Sequence, residues 1–112
     1  MKIVDIETSK IISWESFHAY FKEKFYFPDY YGNNMDAWVD CMSYLDDQDG
    51  IASEKLPLSA NDSIVLNLLN INDFVQRVPD IYNALVECSS FVNYRRIKED
   101  DNALIFLSFY KP

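Results

Sequence analysis

The sequence predicts an α/β fold: a small three-stranded parallel sheet packed by about four helices, in a single domain covering residues 1–112. Three observations predict it. Short apolar runs of strand length lie at residues 2–6, 63–69 and 103–110. Segments of helical period separate them, so each strand-to-strand link passes through helices, as parallel strands require. A chain of 112 residues is also enough for one modest core and not two.

The elements follow in order. Ile3, Val4 and Ile6 form the first run, and Thr8-Ser9-Lys10 breaks it. Ser13 offers an N-cap to a helix ending near Phe25. Trp14, Phe17, Phe21 and Phe25 recur at helical spacing as a core-facing stripe, with His18 at its boundary rather than placed as a catalyst. Phe27-Pro28 ends this helix, because the residue before proline is pushed out of the α region. In the loop at 29–33, Gly32 supplies backbone angles closed to other residues, and Asn33 or Asn34 caps the next helix. Tyr30 and Tyr31 are adjacent, so one is expected to pack inward and the other to present its ring as an interface anchor; in the alternative, both cover loop and core.

Residues 46–62 read as a polar loop with a short helical turn. Its Asp46-Asp47-Gln48-Asp49-Gly50 cluster fails as a calcium loop, since Leu45 and Leu56 would occupy the first and twelfth ligand positions. The run at 63–69 suits a strand covered on both faces. Asn70 or Asn72 starts a short helix carrying Phe74, Val75 and Val78. Pro79 closes it and occupies the first turn of the next, which holds Tyr82, Leu85 and Val86. Ser89-Ser90 divides this helix from a last one near 91–97, whose Arg95, Arg96 and Lys98 favour a C-terminal helix end. Asp100-Asp101-Asn102 turns the chain into 103–110, the most apolar strand and the one expected at the centre.

Composition bounds the function. The net charge of −8 argues against a nucleic-acid binder, which needs a basic surface, and suits a basic protein partner. No apolar run approaches ~20 residues, so no membrane span is expected, and the N-terminus lacks a signal-peptide pattern; the expected location is cytoplasmic. Cys41 and Cys88 lie far apart and His18 is the one histidine, which leaves no zinc spacing. Cys41 is expected as a buried, reduced thiol. With no nucleophile motif, no phosphate loop and two glycines in all, the chain reads as no enzyme, with no cofactor.

The informative stretch is 27–47. On a helical wheel Trp38, Cys41, Met42 and Leu45 share one side, while Asp36, Asp40, Ser43 and Asp47 form a stripe on the other. No Lys or Arg occurs from Phe25 to Glu54, where seven carboxylates do. Like charges one turn apart cost about 0.2–0.5 kcal/mol per pair. Acids at the C-terminal end, Asp46 and Asp47, further oppose the helix dipole. The stripe therefore reads as a face awaiting a cationic partner, or as the ordinary exposed face of an acidic protein.

The residues 27–42, Phe-Pro-Asp-Tyr-Tyr-Gly-Asn-Asn-Met-Asp-Ala-Trp-Val-Asp-Cys-Met, resemble the barstar family of ribonuclease inhibitors. The family pattern runs Pro, acid, Tyr-Tyr-Gly, any residue, Asn, an apolar residue and Asp-Ala, followed closely by Trp and Asp-Cys. The resemblance implies three parallel strands packed by helices. It also implies a loop and second helix that plug the active site of a small basic secreted ribonuclease, acidic groups standing where RNA phosphates would bind. By matching position, Tyr30, Gly32, Asn34, Asp36, Asp40 and Ser43 correspond to family contacts, Asp40 to the dominant electrostatic one. Leu45 departs where an interface aromatic occurs, with Tyr44 beside it as a substitute, and Asp47 extends the stripe. No residue is assigned as counterpart of the family's acidic contact on a later helix, since Arg95 and Arg96 lie in that region, and whether such a second contact exists is left open. With the longer 46–62 loop, these departures imply a different cognate nuclease. The expectation is an immunity protein of a toxin–antitoxin pair, monomeric when free. The alternative is a barstar-fold binding module for another basic protein, without nuclease inhibition.

Overall fold

The computed structural model describes residues 1–47, 56, 58, 59 and 61–109. Strand β1 (Lys2–Glu7) leads through a 3-10 turn (Thr8–Lys10) into α1 (Trp14–Lys24) and α2 (Met35–Ser43). Strand β2 (Ile64–Leu69) is followed by α3 (Ile71–Arg77), α4 (Pro79–Lys98) and β3 (Ile105–Ser108). The strands are all parallel, with order β1-β2-β3; Lys2 pairs with Ile64, and Ile64 with Ile105. This is the α/β architecture expected.

The centre of the sheet differs from the expectation. β2, not β3, lies between the other strands, because two simple crossovers place three consecutive parallel strands in sequence order. The apolar composition of 103–110 overstated its burial: Ile105 is buried, but Phe106 and Phe109 are exposed. β2 alternates, with Ile64, Leu66 and Leu68 inside and the intervening residues half-buried, so one face is fully covered rather than two.

Ser13 caps α1 through a reciprocal box, accepting from the Ser16 N–H while the Ser16 hydroxyl accepts from the Ser13 N–H. Phe17, Phe21 and Phe25 are buried as the stripe predicts, whereas Trp14 is partly exposed and stacks on the His18 ring. The helix stops before Pro28 is reached. Tyr26 takes a left-handed conformation (φ 59°), and the Phe27 N–H donates to the Lys22 carbonyl at 3.0 Å, a Schellman closure without glycine. α4 ends the same way at Asp100 (φ 59°).

α4 is one helix of 20 residues; Ser89-Ser90 does not divide it. Ser89 packs into the core, and buried Leu85 and Val92 flank it on the same stripe, so packing overrides the weak propensity of two serines. Asn93 ties α4 to β3, accepting from the Leu104 and Ile105 N–H groups and donating to the Ile105 carbonyl. Apart from Leu56 and Leu58, both buried, and a few polar residues, the 46–62 loop lies outside the described residues.

Candidate protein interface

An aromatic ladder fixes the loop before α2. Phe17 and Phe21 of α1 pack on Trp38 of α2, with ring centroids 6.3 and 5.6 Å apart. Phe25, Phe27 and Tyr31 continue the ladder into the loop. Tyr31 is 5% exposed and its hydroxyl shares a 2.6 Å hydrogen bond with His18 Nδ1. Tyr30 is 88% exposed. One tyrosine thus packs inward and its neighbour points out. His18 itself is buried, not at a boundary, because the loop folds over it; burial lowers its pKa and raises that of Tyr31.

Asn34 caps α2, its Oδ1 accepting from the Ala37 N–H at 2.8 Å. The left-handed residue of the turn is Asn33 (φ 53°), not Gly32, which corrects the expectation for that glycine. Gly32 instead gives room: a Cβ there would lie 3.2 Å from the Asn34 side-chain amide. Gly32 and Asn34 are both exposed.

Asp36 and Asp40 are exposed one turn apart on α2, and the Asp40 side chain is 63% exposed. The stripe does not run on as expected. The helix ends at Ser43, which is only 6% exposed; its hydroxyl donates to the Val39 carbonyl and its own carbonyl accepts from Arg96. Ser43 is covered because α4 crosses α2 there, so its side chain is a structural group rather than part of an open surface. Tyr44 at the helix end and Asp47 beyond it are exposed, while Leu45 is buried.

Nor does the acidic face wait without cations. α4 delivers two: Arg95 Nη1 lies 3.0 Å from Asp40 Oδ1, and Arg96 grips Asp46 at 2.7 and 3.0 Å. Assigning these arginines to the helix C-terminus alone missed the pairing. Two grooves separate α2 from α4. One is lined by Met35, Asp36, Asp40, Glu87, Phe91 and Arg95, among others. The second holds Tyr44, Asp47, Arg95 and Glu99. Tyr30, Gly32 and Asn34 lie outside both. Glu87, Phe91 and Arg95 are therefore residues of this face that the sequence stripe did not include. The i, i+4 spacing of Phe91 and Arg95, opposite a cation-free α2, was the available signal.

Cys41 and Cys88 are half-buried free thiols. Burial raises both pKa values, helped by Asp40 at Cys41 and by Glu87 and Asp36 at Cys88, which favours the protonated thiol over the thiolate. Among the described residues, no three His, Cys, Asp or Glu side chains assemble to hold a metal ion. No helix among them is long and apolar enough to cross a membrane.

A family model described as Barstar (barnase inhibitor) matches residues 1–107. No curated protein sequence matches the chain closely.

Proposed function

The chain belongs to the barstar family, whose members are inhibitors rather than enzymes, and from this we propose that it inhibits a basic ribonuclease by covering its active site. The loop after α1 and the outward side of α2 enter the substrate cleft. Asp36 and Asp40 meet cationic side chains there, and Tyr30 and Tyr44 supply aromatic anchors. The observation that carries the reading is the pair of exposed carboxylates, Asp36 and Asp40, set one turn apart on a helix whose entry loop is locked by buried aromatics. The charge of −8 supports it by steering a cationic partner inward, an effect that salt screens. In the producing cell the protein acts in the cytoplasm as the immunity partner of a ribonuclease toxin that is secreted.

The test is RNA cleavage by a barnase-type ribonuclease, titrated with the protein and with its Asp40→Ala variant. Stoichiometric inhibition that weakens with the substitution and with added salt is expected. Tight binding that leaves cleavage intact would replace the inhibitor with a binding module for a basic protein.

A further inference from the structure

Among the described residues, Arg95 is the one cationic group that lines both grooves between α2 and α4, and it is paired to Asp40. It stands on the ridge between them, half-buried, with its guanidinium 6.0 Å from the centre of the Phe91 ring. A guanidinium carries five N–H donors, and the contact to Asp40 engages one of its three nitrogens. Because 3.0 Å separates the two groups, a partner that covers Asp40 covers Arg95 as well. Drawn out of water with donors unspent, Arg95 would be a charge only partly compensated, which is strongly unfavourable unless the partner brings an acceptor.

We propose that Arg95 determines which partner this face accepts: the cognate ribonuclease presents a carboxylate to Arg95 beside the cation it presents to Asp40. The inference rests on the inhibitor reading above and adds a chemical specification to the partner. Its surface is of mixed sign, with cations toward Asp36, Asp40 and Glu87 and an acid at the ridge. A cleft lined by cations alone sets like charge against Arg95 and is discriminated against, so the residue works by repulsion as well as attraction. Arg95 also holds one oxygen of Asp40, which leaves Oδ2 to accept from the partner, so the carboxylate is oriented before contact.

The experiment compares the wild-type protein with Arg95→Gln, Arg95→Glu and Asp40→Ala against a barnase-type ribonuclease, a probe whose cleft offers cations. Binding by calorimetry and RNA cleavage are both recorded, and thermal unfolding shows that each variant folds. Affinity is expected to rise from wild type through Arg95→Gln to Arg95→Glu, the last by about tenfold or more. Should Arg95→Glu fail to fold beside Asp36 and Asp40, Arg95→Gln alone decides. Unchanged or weaker binding by the Arg95 variants overturns the inference, and loss of inhibition in Asp40→Ala then shows that the inhibitor reading survives it. No binding by any of the four proteins overturns it too. A rise in affinity without loss of RNA cleavage keeps Arg95 as the selector and removes the inhibitor reading.

Discussion

Arg96 Nη2 lies 2.7 Å from Asp46 Oδ2, and Nη1 lies 3.0 Å from Oδ1, so the guanidinium of α4 grips the carboxylate just past α2 with two prongs. The same group donates to the Ser43 carbonyl at 2.8 Å and to the Asn102 carbonyl at 2.9 Å. It is only 7% exposed. Replacing it by Met leaves two carbonyls and Asp46 without these donors. The expected loss is about 2–4 kcal/mol, below the full cost of breaking a buried pair because Asp46 keeps some access to water. Urea unfolding measures it, and a loss under about 1 kcal/mol would show that α2 holds its place without this brace.

Asp40→Ala separates binding from folding. Its ion pair with Arg95 is at the surface, and such pairs contribute about 0–1 kcal/mol to stability. Partner binding is expected to weaken by about 2–5 kcal/mol, since the cation facing Asp40 would be left buried and unpaired. Calorimetry and thermal unfolding on the same preparation distinguish the two effects.

Enclosing His18 beneath the loop makes stability sensitive to acid. Burial depresses the His18 pKa, so the folded state disfavours the proton that the unfolded chain takes up near the ordinary value of 6.5. Stability is therefore complete above that value and falls as pH drops through it, until the folded-state pKa is reached. His18→Gln should flatten the difference in unfolding free energy between about pH 7.5 and about pH 5.5. Tyr31→Phe should cost about 1–3 kcal/mol, because His18 Nδ1 loses its partner while buried.

The turn into α2 responds in opposite ways to two neighbouring substitutions. Asn33→Gly removes the strain of a left-handed non-glycine residue and should stabilise by up to about 1 kcal/mol. Gly32→Ala presses a methyl group against the Asn34 amide, so it should weaken the cap by roughly 1 kcal/mol. Equilibrium denaturation of the two variants checks the sign of each.

Local chemistry made much of this legible in advance. The Ser13 cap, the Phe17–Phe21–Phe25 stripe, the Asn34 cap and Pro79 at the start of α4 are all short-range signals with one outcome each. What failed to read was set by contacts distant in sequence. Ser43 looks like a surface residue until α4 crosses it, and Arg95 and Arg96 look like helix-end cations until they meet acids 55 and 50 residues away. Gly32 misled for a different reason. Asn tolerates the left-handed region, so the glycine next to it was not needed for that turn.

Fixing α2 at both ends has a thermodynamic consequence. The aromatic ladder and the Asn34 cap secure its entry, and Arg96 ties its exit to the turn before β3. Little disorder then remains to be lost when a partner docks, so the heat-capacity change of complex formation should match the area the two surfaces bury, with no added share from coupled folding. On the side of α2 the encounter starts from a finished shape, timed by diffusion and charge rather than by rearrangement of this helix.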